Sequence, residues 1–202
     1  MRKEQALGKQ RALVSEESLR GWFQVAERDF VAEGINIHAA TPDQVFNCDE
    51  TGFPFMTKMG YVLAAKEDRQ VYGVTSDNKH QIKVLACGSA AGKMLPPAII
   101  YPGQRLGFDP EAQFPGCKHY KTANGWIDTP TYKNWLQDIF IPATRHLRKP
   151  AFLFTDGHTS HVNEKVYFLS KDAGIAYYTL PAHASHILQP LDLVFFKAIK
   201  AE

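Results

Sequence analysis

The sequence has few cysteines, and none of them are paired at a metal-binding spacing. Its 202 residues contain only Cys48, Cys87 and Cys117. An odd number of widely spaced cysteines argues against a disulfide framework, and without a Cys-x-x-Cys pair it also argues against a zinc site. We therefore expect a chain that works in a reducing compartment.

Long apolar runs are lacking as well. No uninterrupted run approaches the ~20 residues that span a bilayer, and the charged N-terminus is not followed by the apolar stretch of a secretory signal peptide. Hydrophobic residues make up 45% of the chain and charged residues 22%, which is typical of a globular domain with a real core. We expect a soluble intracellular protein with no membrane partner.

A strong net charge and two common catalytic motifs are also missing. The formal charge is only +2, so any contact with nucleic acid requires a local basic patch. No Gly-x-Ser-x-Gly is present, which leaves a serine hydrolase without support. Residues 88–94 faintly resemble a phosphate-binding loop, but the stretch is one residue short and Met94 replaces the hydroxyl residue. We interpret it as a hairpin turn.

The hydrophobic pattern predicts an α/β domain with a mixed sheet. Strands are predicted at 45–48, 71–75, 81–88, 95–101, 151–155 and 175–180, and helices at 15–33, from Thr129-Pro130 onward, at 163–172 and from Pro190 onward. For the second of these helices, Thr129 is the expected N-cap and Pro130 the first helical residue. Its buried face is expected to consist of Tyr132, Trp135, Leu136, Ile139 and Phe140. Residues 102–128 are expected to be mostly loop. Pro96 and Pro97 indicate an edge position for the strand that they open.

Three aspartates are placed where a metal site would need them. Asp49 and Asp156 are each expected at the end of a buried strand, and Asp192 in the first turn of the last helix. A buried carboxylate is costly unless a cation or hydrogen bonds compensate it. Any one of them alone is consistent with a cap or turn, but three converging carboxylates are what a pair of Mg²⁺ ions requires. Glu50 should point to the other strand face and is not counted as a ligand.

Several basic side chains lie close to these aspartates in the sequence. His158 and His161 follow Asp156, and His183 and His186 precede the last helix. We expect these histidines to orient metal ligands or contact substrate, rather than to ligate metal directly. Lys197 and Lys200 lie three apart on the last helix, where they either contact phosphate or form a solvated face.

Four ordered motifs carry a resemblance to a known family. They are Asn-Cys-Asp-Glu-Thr-Gly (47–52), Gly-Trp-Ile-Asp with Tyr-Lys-Asn-Trp-Leu (125–128 and 132–136), Thr-Asp-Gly-His-Thr-Ser-His (155–161), and Leu-Gln-Pro-Leu-Asp with Phe-Phe-Lys (188–192 and 195–197). Over roughly residues 12–200 the chain resembles the pogo/Tigger/jerky branch of mariner-type transposases, whose catalytic part is a DDE-superfamily endonuclease domain.

The resemblance implies a fold, a site and partners. The fold would be RNase H-like, with a five-stranded mixed sheet flanked by helices. The catalytic, metal-binding triad would be Asp49, Asp156 and Asp192. Asp49 and Asp156 would hold one Mg²⁺ or Mn²⁺ ion that activates water or a 3′-hydroxyl, and Asp49 and Asp192 a second that stabilises the leaving oxygen. DNA would be the partner, bound by a homo-oligomer in the nucleus.

The resemblance also sets the expected domain division. Residues 1–40 would be a helical lead-in and 41–202 the catalytic domain, truncated at its C-terminus because the chain stops without a closing signal. Members of this branch usually carry an N-terminal helix-turn-helix domain, and nothing of that kind precedes residue 12. Two other functions stay open: a host-adopted DNA-binding or chromatin protein without chemistry, and an RNase H-type RNA hydrolase. The intact triad favours the endonuclease.

Overall fold

The computed structural model describes residues 11, 13–54, 81–103, 105, 109–113 and 116–200. Six strands in this part form one mixed sheet in the order β4-β3-β2-β1-β5-β6. They are β1 (Val45–Pro54), β2 (Gln81–Ser89), β3 (Ala98–Pro102), β4 (Lys118–Thr122), β5 (Ala151–Thr155) and β6 (Ile175–Thr179). The pairs β1-β2 and β2-β3 are antiparallel, whereas β3-β4, β1-β5 and β5-β6 are parallel.

Helices flank this sheet. They are α1 (Glu16–Ala32), α2 (Pro110–Gln113), α3 (Thr129–Trp135), α4 (Ile141–Thr144), α5 (Glu164–Asp172), α6 (Ser185–Leu188) and α7 (Phe196–Ile199). A π-helical turn at Leu136–Phe140 joins α3 to α4, and another at Leu191–Phe195 leads into α7. Short 3₁₀ turns at Ile37–Ala39 and Pro42–Gln44 precede β1.

The strand alternation of β5 divides the core between the two faces of the sheet. Leu153 packs in the larger cluster with Trp135 and Phe140 of the α3-α4 segment. Its neighbour Phe152 belongs to the opposite face, where it meets Phe30 of α1 with ring centroids 5.5 Å apart. Both faces of the central strands are therefore covered by helices.

Helix α1 begins and ends within one residue of the predicted bounds 15–33. Ser15 caps it through a capping box with Ser18, and Gly34 follows it with a φ of +73° that suits glycine. Helix α3 differs by one residue, because Asp128, not Thr129, is the cap, and its carboxylate accepts from the Thr131 N–H at 2.9 Å. Pro130, predicted as the first helical residue, is the second residue of α3 and still lies in its first turn.

The mixed sheet flanked by helices is confirmed, but two details of it are wrong. Within the described residues the sheet has six strands rather than five, since β4 forms inside the segment expected to be loop. Pairing with β4 also means that β3 is not an edge strand. Pro96 and Pro97 lie before β3 begins at Ala98, so they remove no hydrogen bond from its ladder. The strand predicted at 71–75 lies outside the described residues.

Candidate active site

Asp49 lies inside β1, not at its end as the sequence predicted. The parallel pairing of β1 with β5 ends at Asn47 opposite Phe154. Antiparallel pairing with β2 then carries β1 on to Pro54. Asp49 therefore lies just past the last parallel pair, on the side of the C-terminal end of β5, which Asp156 follows in the chain. The carboxylates of Asp49 and Asp156 are therefore both placed at the C-terminal end of the parallel pair, although only Asp156 comes directly after the end of a strand.

The Asp49 carboxylate is buried and strongly perturbed. The residue is only 8% exposed. Burial, the charge of Asp192 and, to a smaller extent, the charge of Asp156 raise the pKa of Asp49 to about 7, against hydrogen bonds from the Glu50 backbone and the Gln189 side chain. An anion in this position gains more than an exposed one from a nearby cation.

Asp192 is carried by the π-helical turn Leu191–Phe195. Leu191 and Phe196 anchor this segment by packing on Ala86 of β2, on the strand face that carries Asp49. Partial desolvation and the charge of Asp156 raise the pKa of Asp192, whereas three cations oppose that rise. These cations are Lys200, Arg11 and Lys197.

Gln189 ties the Asp192 segment to the strands that carry the other two aspartates. It is fully buried, and its Nε2 donates to the Cys48 carbonyl oxygen at 3.1 Å. Asn47 Nδ2 donates to Gln189 Oε1 at 3.0 Å and to the Phe154 carbonyl oxygen at 3.1 Å. Our sequence reasoning missed both amides, although an amide between apolar residues in motifs 47–52 and 188–192 is a readable signal.

His161 lies between two carboxylates. The side chain is 1% exposed, with Nδ1 2.7 Å from Asp156 Oδ1 and Nε2 2.9 Å from Glu50 Oε1. Burial alone would lower the pKa of His161, but the hydrogen bonds and charges of Asp156 and Glu50 raise it to about 9. Burial would raise the pKa of Asp156, but His161 and the His158 backbone outweigh this effect and lower that pKa overall.

The other basic residues predicted near the site make fewer contacts with the three aspartates. The His158 backbone N–H donates to Asp156 Oδ1 at 3.1 Å, while its ring Nδ1 lies 2.8 Å from Ser160 Oγ. His186 Nδ1 lies 3.0 Å from the carbonyl oxygen of His183, within the turn that precedes the Asp192 segment. Lys197 acts on Asp192 through its charge.

One further cation near the site was not predicted. Lys83 of β2 is buried, and its Nζ lies 3.7 Å from the centroid of the Trp126 ring. Burial lowers the pKa of Lys83, while the charges of Glu50 and Asp49 favour its protonated form. A lysine in an apolar strand is weak evidence for a site in sequence alone, because its partner Trp126 lies 43 positions away in the chain.

The donor chemistry of the three aspartates fits a divalent cation, but their arrangement does not form a finished ligand set. Carboxylate oxygens are the preferred ligands of Mg²⁺, and the charges of Asp49, Asp156 and Asp192 act on one another. Among the described residues, no three His, Cys, Asp or Glu side chains are grouped so that they hold one ion. The assignment of these aspartates as ligands stays a prediction.

A profile of the family described as DDE superfamily endonuclease matches residues 79–202, more than half of the chain. The chain belongs to this family. The Jerky protein homolog of Homo sapiens is 29% identical over 174 residues, and the Jerky protein of Mus musculus 29% over 170, each covering 77% of this chain and 28% of the relative. These matches confirm a pogo/Tigger/jerky-type, transposase-derived domain.

A further relative carries a different kind of name. The MFS-type transporter clz9 of Cochliobolus lunatus is 28% identical over 179 residues, which cover 86% of this chain and 19% of that protein. In the described part of this DDE domain, no helix is both long enough and apolar enough to cross a membrane. The chain spans less than a third of the length of the curated relatives that it matches.

Solved structures of Mos1 share the fold. The match to the pre-cleavage Mos1 transpososome covers all of this chain and 54% of the Mos1 chain, with a TM-score of 0.59 at 10% sequence identity. The Mos1 mariner paired end complex with Mn gives the same TM-score and coverage at 12% identity. The Mos1 catalytic domain covers 93% of this chain and 72% of its own with a TM-score of 0.53. The predicted RNase H-like fold is confirmed.

Proposed function

We propose that this DDE domain hydrolyses DNA phosphodiester bonds and transfers DNA strands, with Asp49, Asp156 and Asp192 as its metal-binding carboxylates. Mg²⁺ or Mn²⁺ would be the cofactor. Residues 41–202 would form the catalytic unit and residues 1–40 its helical lead-in. Support comes from the family membership, and from Mos1 complexes of the same fold whose names include Mg and Mn.

The observation that carries this proposal is the state of the Asp49 carboxylate. It is buried, and this burial, followed by the charges of Asp192 and Asp156, raises its pKa to about 7. Such a cluster destabilises its own ionised form. A fold that keeps this arrangement gains from a bound dication, which would offset both the burial and the mutual repulsion.

Each aspartate would have a distinct role. Asp49, the most buried of the three, would be shared between two ions, with Asp156 completing one ligand set and Asp192 the other. When bound, two such ions supply an activated water or 3′-hydroxyl nucleophile and stabilise the leaving oxygen. Asp192 sits on an exposed helical turn and Asp156 on a strand end, so the DNA backbone would enter between these two elements.

Basic residues beside Asp192 would meet the DNA phosphates. Arg11, Lys197 and Lys200 are exposed, and all three act on the Asp192 charge. Phosphate contacts of this kind supply affinity without base specificity. As the family resemblance implies, a homo-oligomer would hold the DNA ends, and the place of action would be the nucleus.

The test is nicking of supercoiled plasmid DNA by the 202-residue chain in millimolar Mn²⁺. Asp49→Asn, Asp156→Asn and Asp192→Asn should each lose at least ~10²-fold in rate, because a metal ion supplies several kcal/mol of transition-state stabilisation. Asp43→Asn is the matched control, since Asp43 is an exposed aspartate in the 3₁₀ turn before β1. It should cut like the parent.

Other outcomes select the other functions. DNA binding without cleavage in parent and variants alike would favour a host-adopted DNA-binding protein. Preferential cleavage of RNA in an RNA–DNA hybrid would favour an RNase H-type hydrolase. Full activity in a folded Asp156→Asn variant would remove Asp156 from the mechanism.

A further inference from the structure

Glu50 and Asp156 each lie within hydrogen-bonding distance of one ring nitrogen of His161. We propose that His161, anchored by Glu50, is a positioning residue that holds the Asp156 carboxylate in place for metal binding. This inference rests on the proposed function, because it assigns the group that supports one of the three ligands. It gives Glu50, the neighbour of Asp49 in the sequence, a role as the anchor of that group.

The hydrogen-bond pattern requires both ring nitrogens of His161 to donate. Nδ1 lies 2.7 Å from Asp156 Oδ1, and Nε2 lies 2.9 Å from Glu50 Oε1. Ionised carboxylates only accept hydrogen bonds, so the arrangement uses one N–H for each side chain. Charge-assisted hydrogen bonds of this length are stronger than neutral ones. His161 thus links the end of β5 to the middle of β1.

The ring has little freedom to turn away from these partners. It is almost fully buried, and the Tyr132 ring lies against it with centroids 4.2 Å apart. Thr155 Oγ1 lies 3.0 Å from Nδ1, and the Tyr177 hydroxyl donates to the His161 backbone carbonyl at 3.1 Å. Contacts to the ring and to the backbone together fix the direction in which Nδ1 points.

His161 and its anchor Glu50 form a brace that binds one carboxylate oxygen of Asp156 and leaves the other oxygen for a ligand. Among the described residues, the hydrogen bonds made to this carboxylate come from His161 Nδ1 and the His158 backbone N–H, and both go to Oδ1. The Asp156 side chain is 32% exposed, against 11% for Glu50. Oδ2 is therefore the oxygen with which Asp156 would reach a metal ion.

The position of Glu50 in β1 separates it from the aspartate cluster. Successive strand residues point to opposite faces, so Glu50 faces the Tyr132 side while Asp49 faces the Asp192 segment. Its Oε1 is already committed to His161. A carboxylate held in this way acts on the metal site through His161 and Asp156, not by ligation.

The experiment uses three variants, measured by calorimetric titration with MnCl₂ and by crystal structures without added metal. His161→Gln removes one of the two donors, Glu50→Gln keeps an acceptor oxygen for Nε2, and Glu50→Ala removes the anchor. His38→Gln is the matched control, because His38 Nε2 lies 2.8 Å from Glu27 Oε1 in an exposed pair between the 3₁₀ turn Ile37–Ala39 and α1.

We expect His161→Gln and Glu50→Ala to weaken Mn²⁺ binding by about 10–100-fold, the usual effect of removing a group that orients a metal ligand. Glu50→Gln should stay within about threefold of the parent, since its amide oxygen still accepts from His161, and His38→Gln should bind Mn²⁺ like the parent. In the metal-free crystals of His161→Gln, Asp156 should leave its parental rotamer while Asp49 keeps its own.

Two results would overturn the inference. One is an Asp156 carboxylate that keeps its rotamer in His161→Gln, which would show that the brace does not position it. The other is a loss of Mn²⁺ affinity in Glu50→Gln as large as in Glu50→Ala, which would make Glu50 a ligand. A parent that binds no Mn²⁺ contradicts the proposed function instead, and the rotamer comparison then decides on the brace alone.

Discussion

The Gln189 side chain donates a hydrogen bond to the Cys48 carbonyl oxygen across 3.1 Å, from the residue before Pro190 to the strand residue before Asp49. This bond and the contact with Asn47 join the Asp192 segment to β1 in the buried interior. The three aspartates come from segments far apart in the chain. Their relative positions therefore depend on this amide pair as well as on the sheet.

Removal of the Gln189 amide should loosen the site and the fold together. We expect Gln189→Ala to lower the free energy of unfolding by about 1–3 kcal/mol, because it leaves a buried carbonyl without a partner. It should also reduce the stabilisation that Mn²⁺ gives. Denaturant unfolding with and without Mn²⁺ measures both effects. Gln24→Ala, at an exposed position of α1, should change neither.

Neutralising Asp49 should have opposite effects on stability with and without metal. At pH 8 the Asp49→Asn variant should melt at or above the parental temperature, because a buried and repelled charge has been removed. Mn²⁺ at 100 times its Kd should stabilise the parent by about 2.7 kcal/mol and the variant by much less. A melting temperature that Mn²⁺ leaves unchanged in the parent would show that no site is assembled in this chain.

Stability should fall as the pH rises from about 4 to 9. Asp49 has a pKa of about 7 in the fold against an ordinary value of 3.8, so its contribution is complete below pH 3.8 and is lost as the pH rises through 7. His161, at about 9 against 6.5, contributes fully below pH 6.5 and loses this as the pH rises through 9. Both shifts have the same sign.

The variants separate these two ranges. In denaturant titrations at half-unit pH intervals, Asp49→Asn should flatten the decline between pH 4 and 7, and His161→Gln the decline between 6.5 and 9. His38→Gln should follow the parental curve. A parental curve that rises between pH 7 and 9 would contradict the raised pKa of His161.

Sequence reasoning succeeded where one local pattern decides the structure. The helical spacing of Tyr132, Trp135, Leu136, Ile139 and Phe140 predicted the buried face of the α3-α4 segment, and all five are buried. Ala151–Thr155 was predicted with its observed bounds, since a short apolar run before a polar loop has few other solutions.

It failed where the outcome depends on a distant partner. The extension of β1 past Cys48 comes from pairing with β2, and β4 exists because it pairs with β3. Polar residues such as Lys118, Lys121 and Thr122 give β4 no apolar pattern. The link from Glu50 to His161 joins positions 111 residues apart, which no local pattern reveals.

The isolated chain should bind duplex DNA weakly, without sequence preference and with a steep dependence on salt. Its formal charge is only +2, so binding has to come from the local cations beside Asp192. Each phosphate contact contributes about 0.9 to the slope of log K against log salt. Lys197→Ala and Lys200→Ala should each reduce this slope by roughly 1, whereas Lys118→Ala, exposed on β4 at the far edge of the sheet, should not.

Fluorescence anisotropy with a labelled duplex at 50–200 mM salt measures the slopes. Equal slopes in all three variants would place the DNA on another surface, and tight sequence-selective binding would favour a host-adopted DNA-binding protein over a nuclease.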